Sequence, residues 1–144
     1  MKIQIKKLRE NAILPKRGSK AAAGYDLYAC MDAPITIKAH ETAMIPTGLS
    51  LAIPEGYFGA VVARSGLASK KGLRPANCIG VCDSDYRGEI MVALHNDSEQ
   101  KRSVEPGDRI AQLVILPFLA VDFEERDELD ETERGSGGFG STGK

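Results

Sequence analysis

Along GLSLAI, residues 48–53, Leu49, Leu51 and Ile53 alternate with Ser50 and Ala52. A period of two is the mark of a half-buried strand. Short apolar or alternating runs of the same kind recur at 2–8, 35–38, 57–63, 89–95 and 109–116. Pro34, Pro54, Pro75, Pro106 and Pro117 fall at the edges of these runs, where a missing N–H interrupts no interior ladder. Many short strands with Gly and Pro punctuation predict an all-β chain, built as a sandwich, jelly roll or barrel. One short helix is predicted over 65–71, with Ser65 as its N-cap and Gly72 just past its end. The stretch NCIGVCDSDYRGEIMVAL, 77–94, reads as a hairpin whose polar tip runs from Asp83 to Gly88.

Size and composition narrow the function classes. A chain of 144 residues is most simply one domain with a real core. Aromatic residues are only 6% and tryptophan is absent, so that core must be aliphatic. With a net charge of −1, the chain lacks the broad basic surface of a general nucleic-acid binder. An anionic ligand would have to meet local arginines, backbone N–H groups or a metal. The basic start MKIQIKKLREN has no apolar h-region, and no apolar run approaches the roughly 18 residues that span a bilayer. Cys30, Cys78 and Cys82 are odd in number and form no CxxC, which reads as reduced thiols in a cytoplasmic protein. A metal site at Cys78, Cys82 and His95 lacks both a fourth ligand and motif spacing.

Chemistry concentrates in five segments. Asp83 directly follows Val81 and Cys82, where a strand should still be partly buried, and a carboxylate shielded from water there can act as a general base. Arg64, Ser65 and Gly66 sit at the mouth of the predicted helix, where N–H groups, a hydroxyl and a guanidinium read either as an anion site or as a plain N-cap beside a surface arginine. Gln112 is polar among apolar neighbours and needs a hydrogen-bond partner. Asp26 lies between Tyr25 and Leu27 in another apolar run. The last segment, RGSGGFGSTGK, matches GxGxxG at Gly135, Gly137 and Gly140, and most of a Walker A at Gly138, Gly143 and Lys144. Both matches fail on context, because the fingerprint needs a strand before it and a helix after it. An acidic run, 122–133, precedes this glycine-rich tail and reads as a surface connector.

AGYDLYA, ARSGLA, GVCDSDYRGE, GDRIAQL and RGSGGFGSTG, in this order and spacing, closely resemble the trimeric deoxyuridine triphosphatase (dUTPase) family. The resemblance runs from about Lys20 to Gly143. It implies a β-rich, jelly-roll-like subunit with one short helix, and a homotrimer whose active sites are shared by all three chains. The implied reaction is hydrolysis of dUTP to dUMP and pyrophosphate with Mg²⁺. Carried onto this chain, Asp83 would activate the water that attacks the α-phosphorus. Tyr86 would pack under the deoxyribose, and Asn77 with the backbone that follows, including Gly80 and Val81, would read uracil. Arg64, Ser65, Gly66 and Gln112 would hold phosphates, and Asp26 would support the metal through water. From the tail, Arg134 would reach the γ-phosphate, Phe139 would stack on uracil, and Gly140, Ser141 and Thr142 would add phosphate contacts. Residues 1–133 would then form the β domain and 134–144 a flexible lid that folds on substrate. Cys82 stands where the family would have a branched aliphatic residue. Two other readings are a dCTP deaminase, alone or bifunctional, and a non-catalytic nucleotide sensor.

Overall fold

The structure is a computed structural model and describes residues 1–138. Its strands are β1 (Gln4–Lys7), β2 (Lys16–Arg17), β3 (Tyr25–Tyr28), β4 (Ile35–Ile37), β5 (Thr42–Pro46), β6 (Leu49–Ala52) and β7 (Tyr57–Val62). After the helix α1 (Ser65–Lys71) follow β8 (Leu73–Pro75), β9 (Ile79–Cys82), β10 (Met91–Asn96), β11 (Arg102–Val104) and β12 (Arg109–Pro117). Every pairing is antiparallel. The largest sheet has the order β2-β3-β12-β7-β9, and β5-β10-β8, β11-β4 and β1-β6 complete the set. This is the all-β, jelly-roll-like architecture expected, with its sheets open rather than closed into a barrel.

Alternation on β10 shows how the sequence selects a face. Val92, Leu94 and Asn96 are buried while Met91, Ala93 and His95 point away from the core. Val92 and Leu94 join Leu27, Ile37, Ile45 and Ile110 in one aliphatic cluster, as the scarcity of aromatics requires. Asn96 is fully buried, and its amide is satisfied by the carbonyls of Ile37, Lys38 and Gln100. That network ties the loop after β4 to the loop after β10.

Two local expectations are corrected. Residues 77–94 are not a hairpin: β9 pairs with β7, whereas β10 pairs with β5 and β8. The polar tip therefore bridges two sheets, because each apolar run finds a better edge far away in sequence. The helix spans the expected residues, but its N-cap is Arg64, extended at φ −83° and ψ 122°, and Ser65 is already helical. No side chain caps that end. At the other end Gly72, at φ 67°, turns its N–H back to the carbonyls of Ala68 and Leu67, the left-handed closure that glycine permits.

Candidate active site

Asp26, Arg64, Gln112 and Arg109 form one hydrogen-bonded cluster. Asp26 sits on β3 directly opposite Gln112 on β12, and it is only 5% exposed. Arg64 Nε donates to Asp26 Oδ1 at 3.1 Å, and Gln112 Nε2 donates to the same oxygen at 3.3 Å. Arg109 Nη1 donates to Oδ2 at 3.2 Å. The partner that Gln112 required is thus Asp26. Gly24 leaves the space for it, since a Cβ there would stand 3.2 Å from the Gln112 amide carbon. Ser65 and Gly66, at the start of α1, are both exposed. Arg64, Gly66, Lys71 and Arg109 line a cavity of about 230 Å³ beside this cluster.

A second cavity, of about 320 Å³, gathers Asn77, Gly80, Val81, Cys82, Asp83 and Tyr86. Gly80 is a close-approach glycine: a Cβ would lie 3.2 Å from both Asn77 Nδ2 and Val61 Cβ. Between them Cys78 adopts φ 59°, rare for a residue with a side chain, and Ile79 N donates to the Asn77 carbonyl at 2.6 Å. Tyr86 is held by its hydroxyl, which donates to the Glu89 carbonyl at 3.0 Å. Its ring crosses Gly88, where an added Cβ would fall 2.9 Å from Cε2 and closer still to Cζ and Oη. The loop is anchored to the body: Ser50 Oγ donates to the Arg87 carbonyl and Gly48 N to Glu89 Oε1, each at 2.7 Å.

Within the single chain Asp83 is exposed, which corrects the expectation of shielding. The period of β9 explains this: Cys82 turns inward, so Val81 and Asp83 turn out, and Val81 is 62% exposed. Burial pushes the Cys82 thiol up from its ordinary range, and the neighbouring Asp83 charge adds to the effect. Arg134 joins neither cluster. It donates to the Gly137 carbonyl within its own segment, and all residues from 116 to 136 are exposed. Phe139, Gly140, Ser141 and Thr142 lie outside the described residues.

Among the described residues, none lines both cavities. No group of three or more His, Cys, Asp or Glu side chains there could hold a metal, and Cys78, Cys82 and His95 do not assemble into one. Sequence reasoning missed Arg109 in the first cluster and Met44 and Met91 on the wall of the second cavity. The outward phase of Met91, set by inward Val92 and Leu94, was available in the sequence. Met44 depends on the pairing of β5 with β10, which was not.

The dUTPase family model matches residues 10–143. The deoxyuridine 5'-triphosphate nucleotidohydrolase of Hydrogenobaculum sp. (strain Y04AAS1) is 48% identical over 143 residues, 99% of each chain. The dUTPase of Staphylococcus bacteriophage 80alpha, solved with dUPNHPP, superposes with a TM-score of 0.91 at 32% identity, covering 99% of this chain and 98% of that one. A mutant dUTPase from phage phi11 of S. aureus, solved with attention to its coordination of a structural Mg(II) ion, gives a TM-score of 0.80 at 27% identity over 89% of this chain and 98% of its own. Fold, ordered motifs and near-complete coverage agree, and the chain belongs to the dUTPase family.

Proposed function

We propose that this chain hydrolyses dUTP to dUMP and pyrophosphate, acting as a dUTP diphosphatase. The observation that carries the reading is the cavity in which Asn77, Gly80, Val81, Asp83 and Tyr86 converge. Uracil enters between the Asn77 side chain and the backbone of β9, whose glycine allows close approach. Tyr86 forms the shelf under the deoxyribose, and a 2′-hydroxyl would meet the ring without a polar partner. Asp83 stands at the rim of the same cavity and takes the proton of the attacking water.

Phosphates are held by Arg64, Ser65, Gly66 and Gln112. Mg²⁺, carried by the triphosphate and supported by Asp26, would neutralise charge that grows during phosphoryl transfer. Asp26 fits the supporting role through water rather than as a direct ligand. An ionised carboxylate offers about four acceptor sites, and three protein N–H donors already use Asp26.

The working enzyme is a homotrimer. Support comes from the two cavities sharing no lining residue among those described and from exposed Leu119, Val121 and Phe123, which alternate like a strand lacking its partner. The acidic connector carries residues 134–144 as a lid onto a neighbour, where Arg134, Phe139, Gly140, Ser141 and Thr142 close over the substrate. The body, 1–133, resides in the cytoplasm, a placement supported by three free cysteines. No helix among the described residues is long and apolar enough to cross a membrane.

Incubating the protein separately with dUTP and dCTP tests the reading. Pyrophosphate from dUTP is expected, whereas ammonia from dCTP, or no product from either, overturns it. Mixing Asp83→Asn chains with chains lacking residues 134–144 should restore activity in hybrid trimers. Sedimentation of an active monomer would refute the shared site.

A further inference from the structure

We infer that Arg109, through Asp26, is a positioning residue for the phosphate-binding guanidinium of Arg64. A strand defect brings Arg109 to this site. In a regular strand, residues three apart face opposite sides, so Arg109 and Gln112 could not both reach Asp26. The register of β12 on β3 shifts between Arg109 and Ala111: Arg109 stands opposite Tyr28, Ala111 opposite Leu27 and Gln112 opposite Asp26. Ile110 is the extra residue. It is 1% exposed beside Ala111 at 0%, two consecutive inward side chains where alternation allows one. The bulge returns Arg109 to the face that carries Gln112 and Asp26. Bulges re-aim side chains in this way, often beside active sites.

Arg109 then holds Arg64 at two points. Its side chain fixes Asp26 Oδ2 at 3.2 Å, leaving Oδ1 to receive Arg64 Nε at 3.1 Å. Its own carbonyl accepts from Arg64 Nη1, also at 3.2 Å. The two contacts grip different sides of the planar guanidinium and so fix its orientation, while Nη2 has no hydrogen-bond partner among the described residues and is left for phosphate. A long side chain would otherwise have to be ordered by the ligand at an entropic cost. The Arg109 side chain is 53% exposed, so its worth lies in geometry more than in Coulomb attraction through solvent.

This inference rests on the reading of Arg64 as a phosphate ligand. In the full-length enzyme, Arg109→Ala should lower kcat/KM for dUTP by about tenfold, within the range of coupled neighbours. It should weaken binding of a non-hydrolysable dUTP analogue in parallel, yet leave binding of deoxyuridine, which has no phosphate, within about twofold. Arg109→Lys keeps one cation for Asp26 and should recover most of the loss. In an Arg64→Ala background, adding Arg109→Ala should cost less than about twofold, because the group being positioned is gone. A full tenfold loss persisting in that background would mean that Arg109 meets phosphate directly, and overturns the inference. Equal weakening of deoxyuridine and the triphosphate analogue would assign Arg109 a merely structural role and overturn it as well. If Arg64→Ala alone leaves activity intact, the phosphate assignment fails first, a result distinct from the other two.

Discussion

Gly88 offers a sharp test of how sugar discrimination is built. Its missing Cβ, rather than an unusual backbone angle, is what Tyr86 needs: an alanine Cβ would stand 2.9 Å from Cε2, with Cζ and Oη closer. Ordinary van der Waals contact begins at 3.4 Å, so the ring must recede by at least 0.5 Å at Cε2 and further at its hydroxyl end. The backbone has little freedom to move instead, because the Arg87 carbonyl is tied to Ser50 and the Glu89 carboxylate to Gly48. Receding breaks the hydroxyl's bond to the Glu89 carbonyl, which in an exposed setting contributes about 0.5–1 kcal/mol. The cost to folding is therefore a few degrees in Tm at most. Catalysis should suffer more, since a misplacement of about 1 Å can cost up to 10²-fold. Gly88→Ala should lower kcat/KM for dUTP by roughly 10–100-fold and for UTP by much less, so that the dUTP/UTP ratio falls about tenfold. Pyrophosphate release measured on both nucleotides reads this directly. In a Tyr86→Ala background the added methyl has no ring to displace, and the ratio should move by less than about twofold. A Gly88→Ala enzyme that keeps the parent's ratio would refute the reasoning.

Asp83→Asn should reduce kcat by about 10²–10⁴ while leaving Tm and the affinity for a non-hydrolysable dUTP analogue nearly unchanged. Retention of more than half of the parent kcat would remove Asp83 from the role of base. Deleting residues 134–144 should leave ligand-free stability intact, because residues 116–136 are already exposed, yet cut turnover by at least about 10²-fold. Phe139→Trp gives the optical counterpart in a chain without tryptophan: its emission should shift with the analogue and Mg²⁺ and much less with dUMP. The Cys82 thiol is raised by burial and then by Asp83, so in the unfolded chain it loses its proton earlier, near the ordinary value of 9.0. The stability it contributes is full below pH 9.0 and is lost as pH rises through the folded value, so Cys82→Val should show a shallower alkaline fall in urea midpoint. Cys30, raised in the same direction, would retain its own share of that fall, whereas identical slopes would refute the Cys82 contribution.

Local periodicity made much of this fold legible. The alternating run at 49–52 became β6, the run at 109–116 became β12, and the short helix ended at Gly72 as its glycine required. What escaped was decided by pairing over long separations. Nothing in residues 79–82 announces that their neighbour will be 59–62 rather than the next apolar run. The bulge at Ile110 hides for the same reason, because the adjacent apolar pair Ile110 and Ala111 fits a strand buried on both faces as well as a bulge until β3 fixes the register. Arg109 was consequently passed over, although the unmet polar group of Gln112 pointed to the right neighbourhood.

The misjudged exposure of Asp83 has a different origin, and it bears on assembly. A base needs shelter from water, and the sequence places Asp83 where shelter was expected, yet the single chain exposes it. Ile79 and Val81 beside it are 56% and 62% exposed, and Tyr86 is 46% exposed. At the other end of the chain Leu119, Val121 and Phe123 are 87%, 61% and 96% exposed. Contiguous apolar surface of this kind ordinarily marks a binding groove or a subunit contact. The two deficits are complementary: one region needs a cover, and the other is an apolar segment with nothing to cover. In the proposed trimer, a neighbouring chain would meet both needs at once, and its glycine-rich segment would shelter Asp83 once the triphosphate had drawn it down. Water would then be excluded after binding and before chemistry, the order in which a hydrolase gains most from a cover.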